Sequence, residues 1–464
     1  MTRYRLLALI VLVAVAHGLF FIWYQRPDWF SHFWTDQEGY RTLGRVLAST
    51  GKLTRFPDAP EYVPEVLRTP VYPFFLATIY KVAGTGQLPV ALVQTVLFAA
   101  ICVLVYATAR RIDGERVALG AAALTALFSP LPYFGALILT ELWTTFVFTV
   151  SMWLAIRAVQ SRRLTSFVAL GVMCGITALS RPVFALFPVG LVLVGLVFFP
   201  ITRVPKRPSR ASWAALLGAF AITMLPWFAY NYVNFGRLTI SPAGGMGRGT
   251  WEGSWQATWS GRLQAELTDV ASDVEDRPTL DARVAVIAAR EHLDPAPMLE
   301  YVHQFQDIRR IWTTPTDPRE RPAARVAADK EYLRVGRNNI RQLSWTQLAR
   351  RLAHGVFLLW AGEIPVRQSD VNALSTSAKA AIWGLQALLF ATALVGVYAL
   401  VREGRAAEGC TLAAAIVYIT AVHFPILKEA RQSLPAWPTV LVLAAFGLAH
   451  LLALKPQVHE REHL

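Results

Sequence analysis

Ten apolar runs punctuate the chain, at 6–24, 88–109, 116–138, 140–158, 164–180, 183–200, 211–231, 378–401, 409–427 and 434–454. A helix needs roughly 20 apolar residues to cross a bilayer. The pattern therefore predicts an all-α, polytopic membrane protein with about ten transmembrane helices. The first run follows Arg3 and Arg5 and ends in Trp23-Tyr24-Gln25 rather than small residues. It reads as a retained span, not a cleaved signal. Two long segments break the alternation, 25–87 and 232–377. The first predicts an amphipathic helix near 36–50 and a short apolar helix near 70–83. The second carries helical periodicity at 280–291 and 323–351, and its apolar stretch 356–360 is too short to cross. The expected organisation is a membrane module 1–231, a mostly helical unit 232–377, and closing spans 378–464.

Loop charge orients the array, because inside loops collect Lys and Arg. Arg110, Arg111 and Arg116, then Arg157, Arg162 and Arg163, then Arg203, Lys206, Arg207 and Arg210, then Arg402 and Arg405 all fall on one side. Both termini share that side, and 25–87 and 232–377 lie opposite. The composition now makes sense. Only 16% of the 464 residues are charged, yet the net charge is +14. A soluble chain so basic would suggest nucleic acid. Here most of the excess sits in the inside loops and encodes topology, so no nucleic-acid partner is expected. The three cysteines, Cys102, Cys174 and Cys410, have no metal-site or disulfide spacing.

The outside segments hold the candidate chemistry. Asp36-Gln37-Glu38-Gly39-Tyr40 places two acids at the membrane surface after the first span. Thr35 and Glu38 have capping-box spacing; Asp36 can equally serve as a general base. Arg68-Thr69-Pro70-Val71-Tyr72-Pro73 sets an arginine before a proline-started helix, where an anion would be favoured. The alternative is an arginine snorkelling to headgroups. Glu141 opens the fourth run as a cap or an acid at depth. Arg181-Pro182 runs against the positive-inside trend. Lys428, Glu429 and Arg431, with His423 a turn earlier, are a solvated loop or part of a phosphate site. The run 243–255 is rich in Gly and Trp and lacks a Walker ending. It reads as a flexible loop, or as one offering Trp251 to a sugar ring.

These residues resemble the GT-C superfamily of integral-membrane glycosyltransferases, most nearly the branch of protein O-mannosyltransferases and aminoarabinose lipid A transferases. The resemblance rests on the 36–40 and 68–73 motifs, Thr140-Glu141, Leu179-Ser180-Arg181-Pro182, Pro226-Trp227 with Asn231, Phe235 and Gly236, and Arg431 with Pro435 and Pro438. Two positions depart: Gln37 separates the acids, and Gln432 follows the late arginine where tyrosine is common. The resemblance implies a GT-C-like fold and an inner-membrane enzyme. It would use a polyprenyl-phosphate sugar at the outer (periplasmic) face, with Asp36 as base. Glu141 matches a second acidic position, and Glu38 is a further candidate. Arg68, then Arg181, Lys428 and Arg431, would hold the donor phosphate. Tyr40, Tyr72, Trp251 and His423 are candidates for contacting the sugar or acceptor. A divalent ion (Mg, Mn or Ca) on Asp36 and Glu141 is the one cofactor considered. The partners are a lipid-linked donor, membrane lipid, and an acceptor glycan, lipid or protein. A transporter or flippase of a lipid-linked or anionic solute is the rival reading. It lacks the midplane broken helices and repeats that transporters show. A silent scaffold is the third.

Overall fold

The computed structural model describes residues 2–29, 33–201, 204, 207–424, 426 and 428–453. Arg203 and Lys206, two of the orienting loop charges, lie outside them. Among the described residues the chain is helical, with one isolated bridge between Gln256 and Trp259. Seven helices are long and apolar enough to cross a membrane: Tyr4–Asp28, Gln87–Ile112, Thr140–Ser161, Pro182–Ile201, Arg210–Phe235, Thr376–Arg402 and Leu434–Ala453. Leu164–Ser180 and Ala406–Val422 are apolar and shorter. Nine of the ten expected spans are thus single runs of helix or near-continuous ones.

The tenth differs. The run 116–138 is split into Glu115–Leu127 and Pro130–Gly135. Thirteen residues extend about 20 Å, less than the ~30 Å hydrocarbon thickness. Pro130 and Pro132 lack the N–H groups needed to continue the first helix. The chain then turns through 136–139, whose residues are all buried. This short span sinks the turn into the bundle and delivers Glu141 below the surface.

Between the first two spans the expected helices form as Trp34–Thr50 and Val71–Ala83. They pack on each other through Leu43, Leu47 and Leu76, with Gly44 admitting the Tyr80 ring. Residues 246–342 build a second core around Trp251, Tyr301, Phe305 and Tyr332. Two readings of this region change. The Gly-rich run is not a loop: it is the helix Met246–Trp255, started by Gly245 at φ 78°. Its glycines allow close helix contact, since a Cβ on Gly247 would fall 1.8 Å from the Asp329 carbonyl. The periodicity at 323–351 belongs to two helices, Arg321–Gln342 and Trp345–Ala361. The second begins with a capping box of Ser344 and Gln347.

The closing spans are fixed by backbone contact. A Cβ on Gly396 would lie 1.9 Å from the Leu443 carbonyl oxygen, and one on Gly447 2.0 Å from that of Thr392. Such small-residue seams are how helices associate where lipid supplies no hydrophobic drive. Gly396→Ala should therefore lower the thermal midpoint of the purified protein, with overpacking costing about 1–3 kcal/mol. Gly384→Ala, in the same helix with open space around it, should leave the midpoint unchanged or raise it. Equal behaviour of the two variants would refute the seam.

Candidate active site

Asp36 lies in the first turn of Trp34–Thr50. That helix starts at Trp34 behind Phe33, which is held at φ 52° in the left-handed region. This start corrects the capping-box expectation. Thr35 and Glu38 lie inside the helix, and no side chain caps it. Glu38 instead accepts from Arg41 at 3.2 Å and Thr42 at 3.1 Å, on its own helix.

Asp36 faces two guanidinium groups. Arg68 Nη2 donates to its Oδ1 at 2.5 Å, and Arg431 Nη1 to its Oδ2 at 3.1 Å. Burial works against the charged carboxylate, but the two arginines outweigh it and hold Asp36 well below the usual carboxylate range. Arg431 continues inward. Its Nη1 is 3.7 Å from Glu141 Oε1, and its Nε donates to Glu429 at 2.7 Å. Arg181 approaches the same Glu141 oxygen at 3.6 Å. Glu141 Oε2 and Arg181 Nη1 are buried without hydrogen-bond partners among the described residues. Five residues separated by up to 395 positions thus form one chain of alternating charge, Arg68–Asp36–Arg431–Glu141–Arg181.

Four of the five members are set by identifiable local devices. Arg68 lies on a strap, 65–68, stitched to the 239–243 segment. Ser241 donates to the Leu67 carbonyl at 2.9 Å, and Ala243 N–H to that of Val66 at 3.1 Å. The Pro226-Trp227…Asn231…Gly236 motif explains that segment. Gly236 ends the helix at φ 65°, and Trp227 and Asn231 donate to the carbonyls of Ile240 and Thr239, each at 2.6 Å. Glu65 accepts the N–H groups of Leu67 and Arg68, at 2.7 and 2.9 Å. Tyr40 then supports the Arg68 guanidinium, which lies 4.5 Å over its ring and donates to its hydroxyl at 3.2 Å. Arg431 is placed by a one-turn 3-10 helix capped reciprocally by Glu429 and Gln432.

Glutamine side chains join the acids' two elements. Gln37, buried, accepts from the Ile138 N–H at 3.0 Å and donates to the Trp29 carbonyl at 2.9 Å. Gln87 donates to Gln37 and to the Ala136 carbonyl, and Gln94 to the carbonyls of Gly135 and Leu137. The residue that interrupts the acidic pair is thus the clamp holding Asp36's helix to the turn before Glu141.

Other expected residues lie elsewhere. Lys428 is buried, its ammonium donating to the Phe424 carbonyl at 3.1 Å. Its backbone exchanges hydrogen bonds with the Gln256 side chain. Burial and the nearby Arg351 bring it down to about 8. It fastens the late loop to the helical unit rather than joining the Asp36 chain. His423 is buried with Nδ1 2.8 Å from the Ile419 carbonyl one turn back. Tyr72 is enclosed under the Tyr40 ring, centroids 5.0 Å apart. Trp251 stacks on Tyr301 at 4.8 Å and has no exposed face. Burial corrects the reading of His423, Tyr72 and Trp251 as sugar contacts; their rings build cores.

One carboxylate escaped sequence reasoning. Glu363, in the turn after Trp345–Ala361, is pushed up to about 7. Burial is the main cause. Glu429 and Glu141 add to it, against the Ile364 N–H and Arg431. The available signal was a lone acid set in the apolar run 358–365.

Among the described residues, no group of three His, Cys, Asp or Glu side chains could share a metal. The gap between Asp36 and Glu141 is filled by the Arg431 guanidinium, and both Asp36 oxygens carry arginine contacts. As arranged, the two carboxylates fit that guanidinium and not a divalent ion.

Beside Pro70 a cleft of ≈470 Å³ opens among Leu47, Leu53, Phe74, Leu179, Trp227 and Tyr230. It joins the two short helices of the first segment to the spans ending at Ser180 and Phe235.

The profile of the dolichyl-phosphate-mannose-protein mannosyltransferase family matches residues 67–229. No curated protein sequence matches the chain. Among solved structures, the oligosaccharyltransferase AglB of Archaeoglobus fulgidus, with an inhibitory peptide and a dolichol-phosphate, aligns at TM-score 0.53 and 14% identity. The alignment covers 100% of this chain and 53% of that one. An Archaeoglobus fulgidus oligosaccharyltransferase in complex with Zn and sulfate gives 0.51 and 14%, covering 97% and 49%. ArnT from Cupriavidus metallidurans, bound to undecaprenyl phosphate, gives 0.41 and 15%, covering 96% and 77%. The chain spans about half the length of the oligosaccharyltransferase structures it matches. It shares their helical membrane fold, and over 67–229 it resembles the dolichyl-phosphate-mannose-protein mannosyltransferase family.

Glu363 provides a pH test. Its carboxyl holds a proton more tightly in the folded protein than at the ordinary value of 4.5. Folded stability is therefore lost as pH rises from about 4.5 to 7. The thermal midpoint should fall over that interval, and Glu363→Gln should flatten the slope. Parallel curves for both proteins would contradict the assignment.

Proposed function

We propose that the protein is a glycosyltransferase. It moves a sugar from a polyprenyl-phosphate carrier to an acceptor hydroxyl, with inversion at the anomeric carbon. The site faces the outside of an inner membrane, and both termini and the basic short loops lie inside. The observation that carries this reading is Asp36 held between Arg68 and Arg431, with an apolar cleft that begins at Pro70, two residues along the chain from Arg68. The cleft accommodates the prenyl chain next to the helix start at Pro70, and the arginines meet the phosphate. The oligosaccharyltransferase solved with a dolichol-phosphate supports a donor of this class.

The ion pairs pose a chemical problem that the donor resolves. A carboxylate held so far below its ordinary range is a weak base. A lipid phosphate entering between Arg68 and Arg431 competes for both guanidinium groups. As they turn to phosphate oxygens, Asp36 loses its stabilising partners and its basicity rises. The acceptor O–H then gives its proton to Asp36. Its oxygen forms the new bond at C1 from the opposite face, while the C1–O bond to phosphate breaks. The electron pair leaves with polyprenyl phosphate, whose charge Arg68 and Arg431 stabilise. Glu141, paired with Arg181 and Arg431, fixes Arg431 during this exchange. Glu38, turned to its own helix, has no step. One relative was solved with Zn and sulfate; the Arg431-filled gap here supports a route that passes through no metal.

Asp36→Asn should keep the protein folded and lower turnover with a polyprenyl-phosphate sugar by about 10²–10⁴. Near-normal transfer would remove Asp36 as base. Arg68→Ala should weaken donor binding roughly 10- to 100-fold, from loss of charged hydrogen bonds. An unchanged dissociation constant would return Arg68 to a headgroup role.

A further inference from the structure

A small basic pocket lies between the first long segment and the helical unit. It measures ≈180 Å³ and is lined by Arg55, Phe56, Glu65, Trp312, Arg321 and Arg325 among others. Its lining residues come from 55–67 and 312–325, and no membrane-spanning helix contributes. The apolar cleft, by contrast, is walled partly by residues of the spans.

Three arginines face this pocket and one acid does. Glu65 is already committed. Arg55 Nε and Nη2 donate to its two oxygens at 2.7 and 3.2 Å, and the Leu67 and Arg68 N–H groups also donate to it. Arg321 Nε donates to the Pro315 carbonyl at 3.4 Å. Arg325 lies 3.1 Å over the Trp312 ring and has no ion pair among the described residues. Asp329, one turn further along its helix, turns its Oδ1 to the N–H groups of Gly247 and Arg248. Burial, with the charges of Arg55 and Arg248, brings Arg325 down to about 10. A guanidinium centred 3.1 Å over an indole, beside two more arginines, suits a planar or tetrahedral oxyanion.

We infer that this pocket docks an oxyanion, a phosphate or carboxylate borne by the acceptor. The inference rests on the glycosyltransferase reading for the word acceptor and on the pocket alone for the anion. The volume suits one such group rather than a whole sugar chain. The position favours the acceptor over the lipid donor, because no residue of a span and none of the apolar cleft lines the pocket. It also couples to the site through one residue: Glu65 is held by Arg55 on the pocket side and holds the backbone of Arg68 on the other. An acceptor anchored here is three residues of chain from the arginine that faces Asp36, a reach of about 10 Å.

The test uses the full-length protein in nanodiscs, titrated with inorganic phosphate and, separately, with glucuronate. Saturable binding of one or both is expected, and the stronger arm identifies the oxyanion. Arg325→Gln and Arg321→Gln should each weaken it at least tenfold at unchanged thermal midpoint, and Arg325→Lys should weaken it less than Arg325→Gln. Undecaprenyl phosphate affinity should be unchanged in all three. Arg68→Ala should show the reverse, losing the lipid phosphate and keeping the small anion. No saturable binding of either anion, or affinities indifferent to both Gln variants, overturns the inference. Undecaprenyl phosphate that fails to bind the unaltered protein overturns the glycosyltransferase reading and the acceptor assignment. A Gln-sensitive anion titration would still uphold the oxyanion pocket in that case.

Discussion

The ion triad Arg68–Asp36–Arg431 is the constraint on which the rest of the site depends. A lone carboxylate at a membrane surface could fold in many settings. A half-buried one gripped by two arginines needs both delivered to within hydrogen-bond range. One comes from the strap after the first span, the other from the turn before the last. Burying charge is costly unless it is paired. The fold meets this by extending the pairing to Glu141 and Arg181, so that neighbouring charges are opposite. Under the proposed function the pairing is reversible, because a donor phosphate competes with Asp36 for both arginines.

The supporting structure is polar and buried, which is unusual in a bundle otherwise packed through small and apolar residues. Gln37, Gln87 and Gln94 satisfy the backbone of the 135–138 turn. That turn exists because Pro130 and Pro132 cut the preceding span short. A full-length span would have lifted Glu141 toward the loops. The sunken turn, the glutamines and the strap fixed by Ser241 place Asp36, Glu141 and Arg68, and the capped 3-10 helix places Arg431. Each comes from a different element, and none is adjacent in sequence.

Much of this was legible in the chain. Hydropathy located the spans, and charge at the ends of apolar runs picked out Asp36, Arg68, Glu141, Arg181 and Arg431, because ionisable residues at such positions are few. What was not legible depended on three-dimensional neighbours. Gln37 read as a spacer because an amide gives no signal until its carbonyl partners are known. Thr35 and Glu38 matched a capping box, but the helix starts one residue before Thr35, and the match fell inside it. Trp251 sat in a Gly-rich run that looked open; its glycines serve instead to bring two helices together around it. Glu363 had neither motif nor periodicity; its one signal was a lone acid in an apolar run, and its burial near Arg431 gives that signal meaning. The pocket at Arg325 needed two segments more than 240 residues apart in sequence to meet.

The central claim is that Asp36 and the donor phosphate compete for the same two guanidinium groups. The most direct measurement is the affinity of undecaprenyl phosphate for the Asp36→Asn protein in nanodiscs. If Asp36 must be displaced, the neutral amide releases the arginines in advance, and the variant binds the lipid phosphate more tightly than the unaltered protein. Weaker binding by Asp36→Asn would mean that the carboxylate helps to hold the phosphate, and would contradict the account.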